Sequence, residues 1–270
     1  MAEPTRLLFP PSLRYGLPLE IDLEYPDYAA GVSAAKFVRA ENGSEYIVKG
    51  PSLTPDHPQV AANELIAAML ADQIRLPILD HRILSRGTNL FFASARMAAN
   101  TFELLTEEIY MRCSNRSIIY LVVAFDVWLV NSDRHNGNLL ARATLSGDES
   151  RTYALLSNDH SHCLVMPHQS ASMLAGLIDA PLDCSDRRFV HMDFIRHDIV
   201  DETRMIESVE RIESVADQVV DDIVGSIPDV LLGDADRPLY VQFLIKRRNR
   251  LRSIFAAGGQ LLPNLRRAAA

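Results

Sequence analysis

Residues 131–138 read Asn131-Ser132-Asp133-Arg134-His135-Asn136-Gly137-Asn138 and directly follow the longest apolar run of the chain, Ile118–Val130. Only Asp126 interrupts this run, which is shorter than the about 20 residues that a membrane-spanning helix needs. The run therefore predicts a buried helix and no transmembrane segment. Because a buried helix has a fixed place in a fold, its end holds the polar segment at a defined position.

A hairpin is predicted directly after the polar segment, with strands Leu139–Arg142 and Thr152–Ser157. Antiparallel pairing brings the two outer ends of such a hairpin together, so Asn138 and Asp159 are expected at the same open end, near Asp133. Two carboxylates and one amide oxygen are hard ligands that suit Mg²⁺ on a nucleotide phosphate. These residue types are also ordinary turn formers, so the spacing alone leaves a metal site and a simple turn equally open.

A second hairpin is predicted nearer to the N-terminus, from Lys36–Ala40 and Glu45–Lys49 with Asn42-Gly43 as its tight turn. Lys49 ends the second strand, and Glu64 follows in a predicted helix on a face lined by alanines. A carboxylate in tight packing needs a partner, and Lys49 is the available cation. The alternative is an exposed lysine and an exposed glutamate, which the usual distribution of these residues favours.

The small-residue segment Gly31-Val32-Ser33-Ala34-Ala35 precedes that hairpin. Small side chains let backbone N–H groups approach phosphate oxygens, although a plain tight turn explains the segment equally well.

The secondary-structure pattern changes near Met97. Residues 1–97 are predicted as β-rich with one helix, and residues 98–270 as mainly helical. Beyond the boundary we expect helices at about 103–112, Ile118–Val130, about 203–224 and about 238–256. The helix at about 203–224 carries a core-packing face that begins at Ile206. The pattern predicts a small sheet lobe and a larger helical lobe within one domain.

The composition is typical of a soluble globular protein. The 270 residues suffice for one large domain or one domain in two lobes, and 48% hydrophobic with 23% charged residues is close to average. A net charge of −8 argues against a general nucleic-acid coat, so no nucleic-acid partner is expected. Three scattered cysteines and an N-terminus without a secretory pattern predict a cytoplasmic protein.

The basic residues of the last predicted helix stand beside apolar ones, and a solvated face is the expected interpretation. Docking to an acidic partner or an anionic lipid head group is the alternative. These residues are Lys246, Arg247, Arg248, Arg250 and Arg252.

In chain order the chemistry-bearing parts are a small loop, a strand lysine, a helix glutamate, an Asp-x-x-x-x-Asn loop and a later Asp, the order used for phosphoryl transfer in two-lobed kinases. Asp133-Arg134-His135-x-x-Asn138 resembles the catalytic loop shared by HipA-like kinases and phosphatidylinositol 3-/4-kinases. Asn158-Asp159-His160-Ser161 stands where those families carry a second metal-binding Asp. From about Gly31 to Leu164 the chain is most similar to a HipA-like kinase domain. The resemblance implies an α+β, two-lobed protein-kinase-like fold.

The resemblance also implies how ATP is bound. Lys49 would contact the ATP phosphates, and Glu64 would hold Lys49 in place. Gly31 and Ser33 would belong to the loop that covers the phosphates. Phe92–Met97 would be the hinge that pairs with adenine through its backbone.

The same resemblance implies the catalytic roles. Asp133 would orient the acceptor and take its proton, while Asn138 and Asp159 would hold Mg²⁺. His135 would support the loop or the γ-phosphate. The loop before the first hairpin is poor in glycine, Asp159 is followed by His-Ser instead of Phe-Gly, and no Ala-Pro-Glu follows, so the acceptor-binding segment is unassigned.

The expected activity is ATP- and Mg²⁺-dependent transfer to a protein Ser or Thr hydroxyl, with lipid or small-molecule acceptors as alternatives. Two other function classes explain parts of the pattern. A nucleotide-binding pseudokinase would keep Lys49 and Asp159 but transfer nothing. A metal-dependent phosphohydrolase would leave Lys49 and Glu64 without a role; its ligands would be Asp133, His135, Asp159 and His162.

Overall fold

The computed structural model describes residues 16–26, 34–96, 101–145, 151–180 and 193–257. Its first part is a closed five-stranded barrel with strand order β1-β2-β3-β5-β4. The strands are β1 (Leu19–Glu24), β2 (Lys36–Ala40), β3 (Glu45–Lys49), β4 (His81–Arg86) and β5 (Asn89–Ala95).

The hairpin of β2 and β3 has the predicted bounds, and Gly43 turns it with a φ of 79°, in the left-handed region that favours glycine. The strands on either side of Gly87 are β4 and β5, which pair from His81↔Ser94 to Arg86↔Asn89. Val38, Val48 and Leu84 are buried inside this barrel.

The helix α1 (Val60–Gln73) follows β3 and is buried along nearly its whole length. It contacts β5 on one side and the helical part of the chain on the other. A helix buried all round is one that packs between two layers. This position places Glu64 in the interior, with 2% of its surface exposed.

A second sheet contains β6 (Phe102–Leu104), β7 (Leu139–Leu145) and β8 (Arg151–Ser157), in that order. The predicted helix at about 103–112 is wrong in its first half, because β6 pairs with the edge of β7. The helix α2 (Glu107–Met111) begins only after Thr106, whose side chain accepts a hydrogen bond from the backbone N–H of Ile109.

The predicted buried helix is α3 (Ile119–Leu129), in which every residue is buried. The described helices that follow it are α4 (Asp193–Asp198), α5 (Glu202–Glu213), α6 (Asp217–Gly225), α7 (Arg237–Arg248) and α8 (Leu251–Ala257). Of these, α5, α7 and α8 pack against α3.

Two helices predicted as continuous are each broken in two. The segment at about 203–224 is interrupted after Glu213, because Ala216 has an extended conformation before α6. The segment at about 238–256 is interrupted between α7 and α8. Ile206, predicted in the core, is 42% exposed on α5.

The predicted solvated face of the last helices is wrong for two of its arginines. Arg247 is fully buried and donates to the carbonyl oxygens of Val127 at 2.7 Å, Leu177 at 2.5 Å and Ala180 at 2.9 Å. Burial lowers the pKa of Arg247 to about 10. The neighbouring Arg248 is also buried. The carbonyl groups that replace water around Arg247 are distant in sequence, which is why its local pattern resembled an exposed face.

Within the described residues, none of the helices has both the length and the apolar character needed to cross a membrane.

Candidate active site

A buried lysine joins three separate elements at the boundary between the barrel and the helices. Lys49 Nζ, at the end of β3, lies 2.7 Å from Glu64 Oε1 on α1 and 2.7 Å from Asp159 Oδ1 beyond β8. Burial alone lowers the pKa of Lys49, but the two carboxylates outweigh it and hold this pKa above its ordinary value. Lys49 is therefore a permanent cation held between two carboxylates.

Asp159 lies in a left-handed backbone conformation with a φ of 54°, which an aspartate tolerates better than most residues. The N–H and the hydroxyl of Ser161 donate to its Oδ1 at 3.1 and 2.6 Å. Burial raises the pKa of Asp159, but Lys49 and Ser161 outweigh it and hold this pKa far below the ordinary range. Glu64 Oε2 accepts the N–H of His160 at 3.0 Å, so α1 also fixes the chain that follows Asp159.

A second buried ion pair fixes the loop after α3. Arg134 Nε lies 2.8 Å from Asp126 Oδ2, and Arg134 Nη2 lies 2.9 Å from Asp126 Oδ1. Arg134 Nη1 donates to the carbonyl oxygens of Asn138 at 2.6 Å and Asn158 at 2.7 Å. One arginine thus ties the helix, the loop and the end of β8 together.

The open end of the hairpin brings Asn138 close to the chain beside Asp159. The N–H of Asn158 donates to the carbonyl oxygen of Asn138 at 3.0 Å. Asn138 Nδ2 donates to the carbonyl oxygen of Asp133 at 2.7 Å, so its Oδ1 is the side-chain atom suited to a cation. An ionised carboxylate and an amide oxygen at one end of a hairpin fit the hard ligands that Mg²⁺ prefers.

Asp133 is half-buried and its carboxylate faces a histidine. Asp133 Oδ2 lies 3.0 Å from His162 Nδ1. Burial raises the pKa of Asp133, while the hydrogen bond to His162 and the nearby His135 lower it, and the net pKa is below the ordinary value. A carboxylate that stays ionised in this position can accept a proton.

His135 makes a hydrogen bond within its own loop. Its Nδ1 accepts the N–H of Gly137 at 3.0 Å and thereby caps the short 3₁₀ turn Asn136–Asn138. This contact fits the loop-supporting half of its predicted role.

A small cavity lies beside the Lys49 cluster, between β5, α1 and the end of β8. It adjoins the first half of the predicted hinge, since Phe92 and Ser94 line it, while Met97 lies outside the described residues. Its other lining residues include Ala68, Ile78, Leu79, Asn158 and Asp159. Gly31 and Ser33, predicted to cover the phosphates, also lie outside the described residues.

The residues of the phosphohydrolase alternative form no metal cluster. In the part of the chain that the structure describes, no three or more His, Cys, Asp or Glu side chains are arranged to hold a metal ion. Lys49 and Glu64, which that alternative leaves without a role, are instead in direct contact.

Sequence reasoning missed the Asp126–Arg134 pair and the contact of His162 with Asp133. The signal for the first was present, because a carboxylate inside an apolar run needs a buried partner. The phosphohydrolase alternative grouped His162 with Asp133 as metal ligands, but no local signal predicted their direct contact, since the two residues are 29 apart in the chain.

No protein family and no curated protein sequence matches the chain. Among solved structures, the proinflammatory kinase CtkA of Helicobacter pylori aligns with a TM-score of 0.57 at 13% identity, covering 93% of this chain and 100% of CtkA. HipA of Shewanella oneidensis, solved with HipB and operator DNA, aligns with a TM-score of 0.46 at 13% identity, covering 84% of this chain and 66% of HipA. The likeness to CtkA, together with the mixture of strands and helices, is compatible with the predicted kinase-like fold.

Proposed function

We propose that this chain is an ATP- and Mg²⁺-dependent phosphotransferase of the HipA-like kind that phosphorylates a protein Ser or Thr hydroxyl. The observation that carries the proposal is the position of Lys49 between Glu64 and Asp159. Lys49 and Glu64 are buried and Asp159 is partly buried. Burying charged groups is expensive, and a merely structural core has no need of them. A kinase needs this arrangement, because the lysine contacts phosphates while the Asp holds the metal.

In this proposal the barrel and α1, within residues 1–97, form the nucleotide-binding lobe, and residues 98–270 form the catalytic lobe. ATP lies between them, with its phosphates at Lys49 and its adenine at Phe92–Met97. Gly31 and Ser33 cover the phosphates.

Asn138 and Asp159 provide the oxygen ligands for Mg²⁺. When bound, the ion neutralises charge that develops on the phosphate oxygens. Asp133 orients the acceptor hydroxyl and takes its proton as the new O–P bond forms and the bond between the β- and γ-phosphates breaks. ADP is the leaving group. His135 keeps the loop in shape.

The test mixes the purified protein with γ-labelled ATP and Mg²⁺ and follows label on protein together with ADP and free phosphate. Asp133→Ala and Asp159→Ala are compared with the wild type, and Asp221→Ala, an exposed carboxylate on α6, is the matched control. We expect label or ADP to be lost in both site variants and kept in the control.

Other outcomes separate the alternatives. Stabilisation by ATP without turnover, kept in Asp133→Ala, would favour a pseudokinase. Full turnover in Asp159→Ala would remove this residue from the metal site. Neither turnover nor stabilisation by ATP would reject the proposed function.

A further inference from the structure

We propose that His162 positions the carboxylate of Asp133 for proton transfer, and that His57 holds His162 in place. This inference rests on the proposed function, because it concerns the same reacting group. The inference gives a role to His57 and His162, to which the resemblance to kinases assigns none.

The backbone of Asp133 is fixed independently of its carboxylate. Its N–H donates to Asn131 Oδ1 at 3.2 Å, and its carbonyl oxygen accepts from Asn138 Nδ2 at 2.7 Å. These bonds set the place of the Cα atom but leave two side-chain torsions. The contact of His162 Nδ1 with Oδ2 at 3.0 Å acts on the carboxylate itself and so sets its direction.

His162 is held by a second histidine from the loop between β3 and α1. The rings of His57 and His162 are stacked, with centroids 6.1 Å apart and an angle of 17° between their planes. His57 is 1% exposed, and its Nε2 lies 2.7 Å from the carbonyl oxygen of Ser161. A carbonyl oxygen only accepts hydrogen bonds, so Nε2 of His57 carries a proton and donates it to this oxygen. Burial lowers the pKa of the ring.

The chain on either side of His162 is also anchored. Ser161 donates twice to Asp159, and Asn63 Nδ2 on α1 donates to the carbonyl oxygen of Val165 at 2.8 Å. The direction of the Asp133 carboxylate is therefore tied to the segment that begins at Asp159. The proposed base and the proposed metal ligand are set by one short, rigid stretch of chain.

This coupling matters because proton transfer depends steeply on geometry. A misplacement of about 1 Å can lower a rate by about 10²-fold. A purely structural contact between the half-buried His162 and Asp133 side chains would affect folding but not the ratio of kcat to nucleotide binding. The two explanations thus differ in a measurable quantity.

The test measures kcat and the KM for ATP in three variants. His162→Phe keeps a ring against His57 but removes the hydrogen bond, whereas His162→Asn places an amide donor near the position of Nδ1. His168→Asn is the matched control, because His168 is exposed and has a φ of 62° that Asn accepts readily.

We expect His162→Phe to lower kcat by about 10- to 10²-fold with an unchanged KM for ATP and unchanged thermal stabilisation by ATP and Mg²⁺. His162→Asn should recover most of the lost kcat, and His168→Asn should match the wild type. A wild-type kcat in His162→Phe, or an Asn variant as slow as the Phe variant, would overturn the positioning role while leaving the proposed function intact. Absence of turnover in the wild type would instead reject the proposed function and this inference with it.

A measurement that does not change His162 covers the case in which His162→Phe does not fold. Nitrogen NMR of the histidine rings should find His162 with its proton on Nδ1, and Asp133→Ala should change that signal. A ring protonated only on Nε2 would contradict the inference.

Discussion

Lys49 shows how one side chain can depend on two others that are distant in sequence. Glu64 and Asp159 each satisfy part of its charge, and each would lose its own partner if Lys49 were absent. A bound nucleotide would add phosphate oxygens to the same cation. The three side chains therefore act as one electrostatic unit rather than as separate contacts.

This unit predicts non-additive effects on stability. Lys49→Ala leaves the buried Glu64 without its cation and should lower the free energy of unfolding by about 3–5 kcal/mol. Glu64→Ala should lower it by less, because Lys49 keeps Asp159 as a partner. The double variant should lose clearly less than the sum of the two. Urea unfolding of the four proteins measures the coupling.

The control for this cycle is the more exposed pair of Lys36 and Glu24, whose charged atoms are 3.4 Å apart. Its coupling should be at most about 1 kcal/mol. Additive losses at Lys49 and Glu64 would mean that the two side chains do not meet in solution.

His160 predicts a loss of stability in mild acid. Burial, with the nearby charge of Arg134, holds its pKa well below 6.5, so the unfolded chain binds a proton that the folded chain does not. Stability must then fall as the pH drops below about 6.5, by up to about 1.4 kcal/mol per pH unit. His57, whose pKa burial also lowers, adds to the same slope.

The measurement is the free energy of unfolding between about pH 5 and 6.5 in the wild type and in His160→Gln. The slope should be shallower in the variant, because one of the two histidines no longer titrates. Equal slopes would show that His160 is not buried in its neutral form.

At the level of single elements, α3 serves to place the loop that follows it. The helix ends at Leu129, and Val130 turns the chain with a φ of 53°, an unusual conformation for a β-branched residue. Asp126 then holds Arg134 from within the helix, and it also accepts from Asn131 Nδ2 at 2.8 Å. The helix that precedes the loop therefore also holds the loop in position.

This arrangement predicts a severe effect for a change far from the proposed phosphate site. Asp126→Ala should lower the free energy of unfolding by about 3–5 kcal/mol, because it leaves the buried Arg134 without its carboxylate. Asp22→Ala removes one partner of the exposed pair Asp22–Arg39 and should change the free energy of unfolding far less. Denaturant unfolding compares the two, and similar small losses would contradict a buried pair.

The elements that could be predicted from sequence are those with local signals. The Asn42-Gly43 turn, the apolar run of α3 and the hairpin after Asn138 each carry their own pattern. The strand β6 and the break between α5 and α6 could not be predicted, because packing against distant elements decides them. The burial of Arg247 depends likewise on carbonyl groups of Val127 and Leu177.

The candidate site, like the fold, has parts that could be predicted from the sequence and parts that could not. The hairpin pattern predicted that Asn138 and Asp159 lie at the same end, and the strand and helix suggested that Lys49 meets Glu64. The structure places Asn138 beside the residue before Asp159 and Lys49 in contact with Glu64. Their roles stay predictions. The stacking of His57 on His162 could not be predicted from the sequence, because the two rings come from segments over a hundred residues apart.

In the whole molecule, buried polar contacts connect α1, which packs against the barrel strand β5, with the helical part of the chain. Tyr240 on α7 donates to Asn63 Oδ1 on α1 at 3.1 Å, while Asn63 also donates to Val165. Trp128 on α3 donates to the carbonyl oxygen of Leu244 at 2.8 Å. Because α1 packs on the barrel strand β5 and is bonded to the helical part, a ligand that bridges barrel and helices should stabilise the entire chain rather than one part.

ATP with Mg²⁺ should therefore raise the midpoint of a single cooperative unfolding transition. A ligand at a hundred times its Kd stabilises by about 2.7 kcal/mol, and removing the metal with a chelator should abolish most of this gain. Asp159→Asn should show little dependence on Mg²⁺, because it removes the charged ligand, whereas Asp221→Asn should respond like the wild type. Differential scanning calorimetry with and without Mg²⁺ provides the comparison. A gain that is equal in all three proteins and unaffected by the chelator would place nucleotide binding elsewhere than between Lys49 and Asp159.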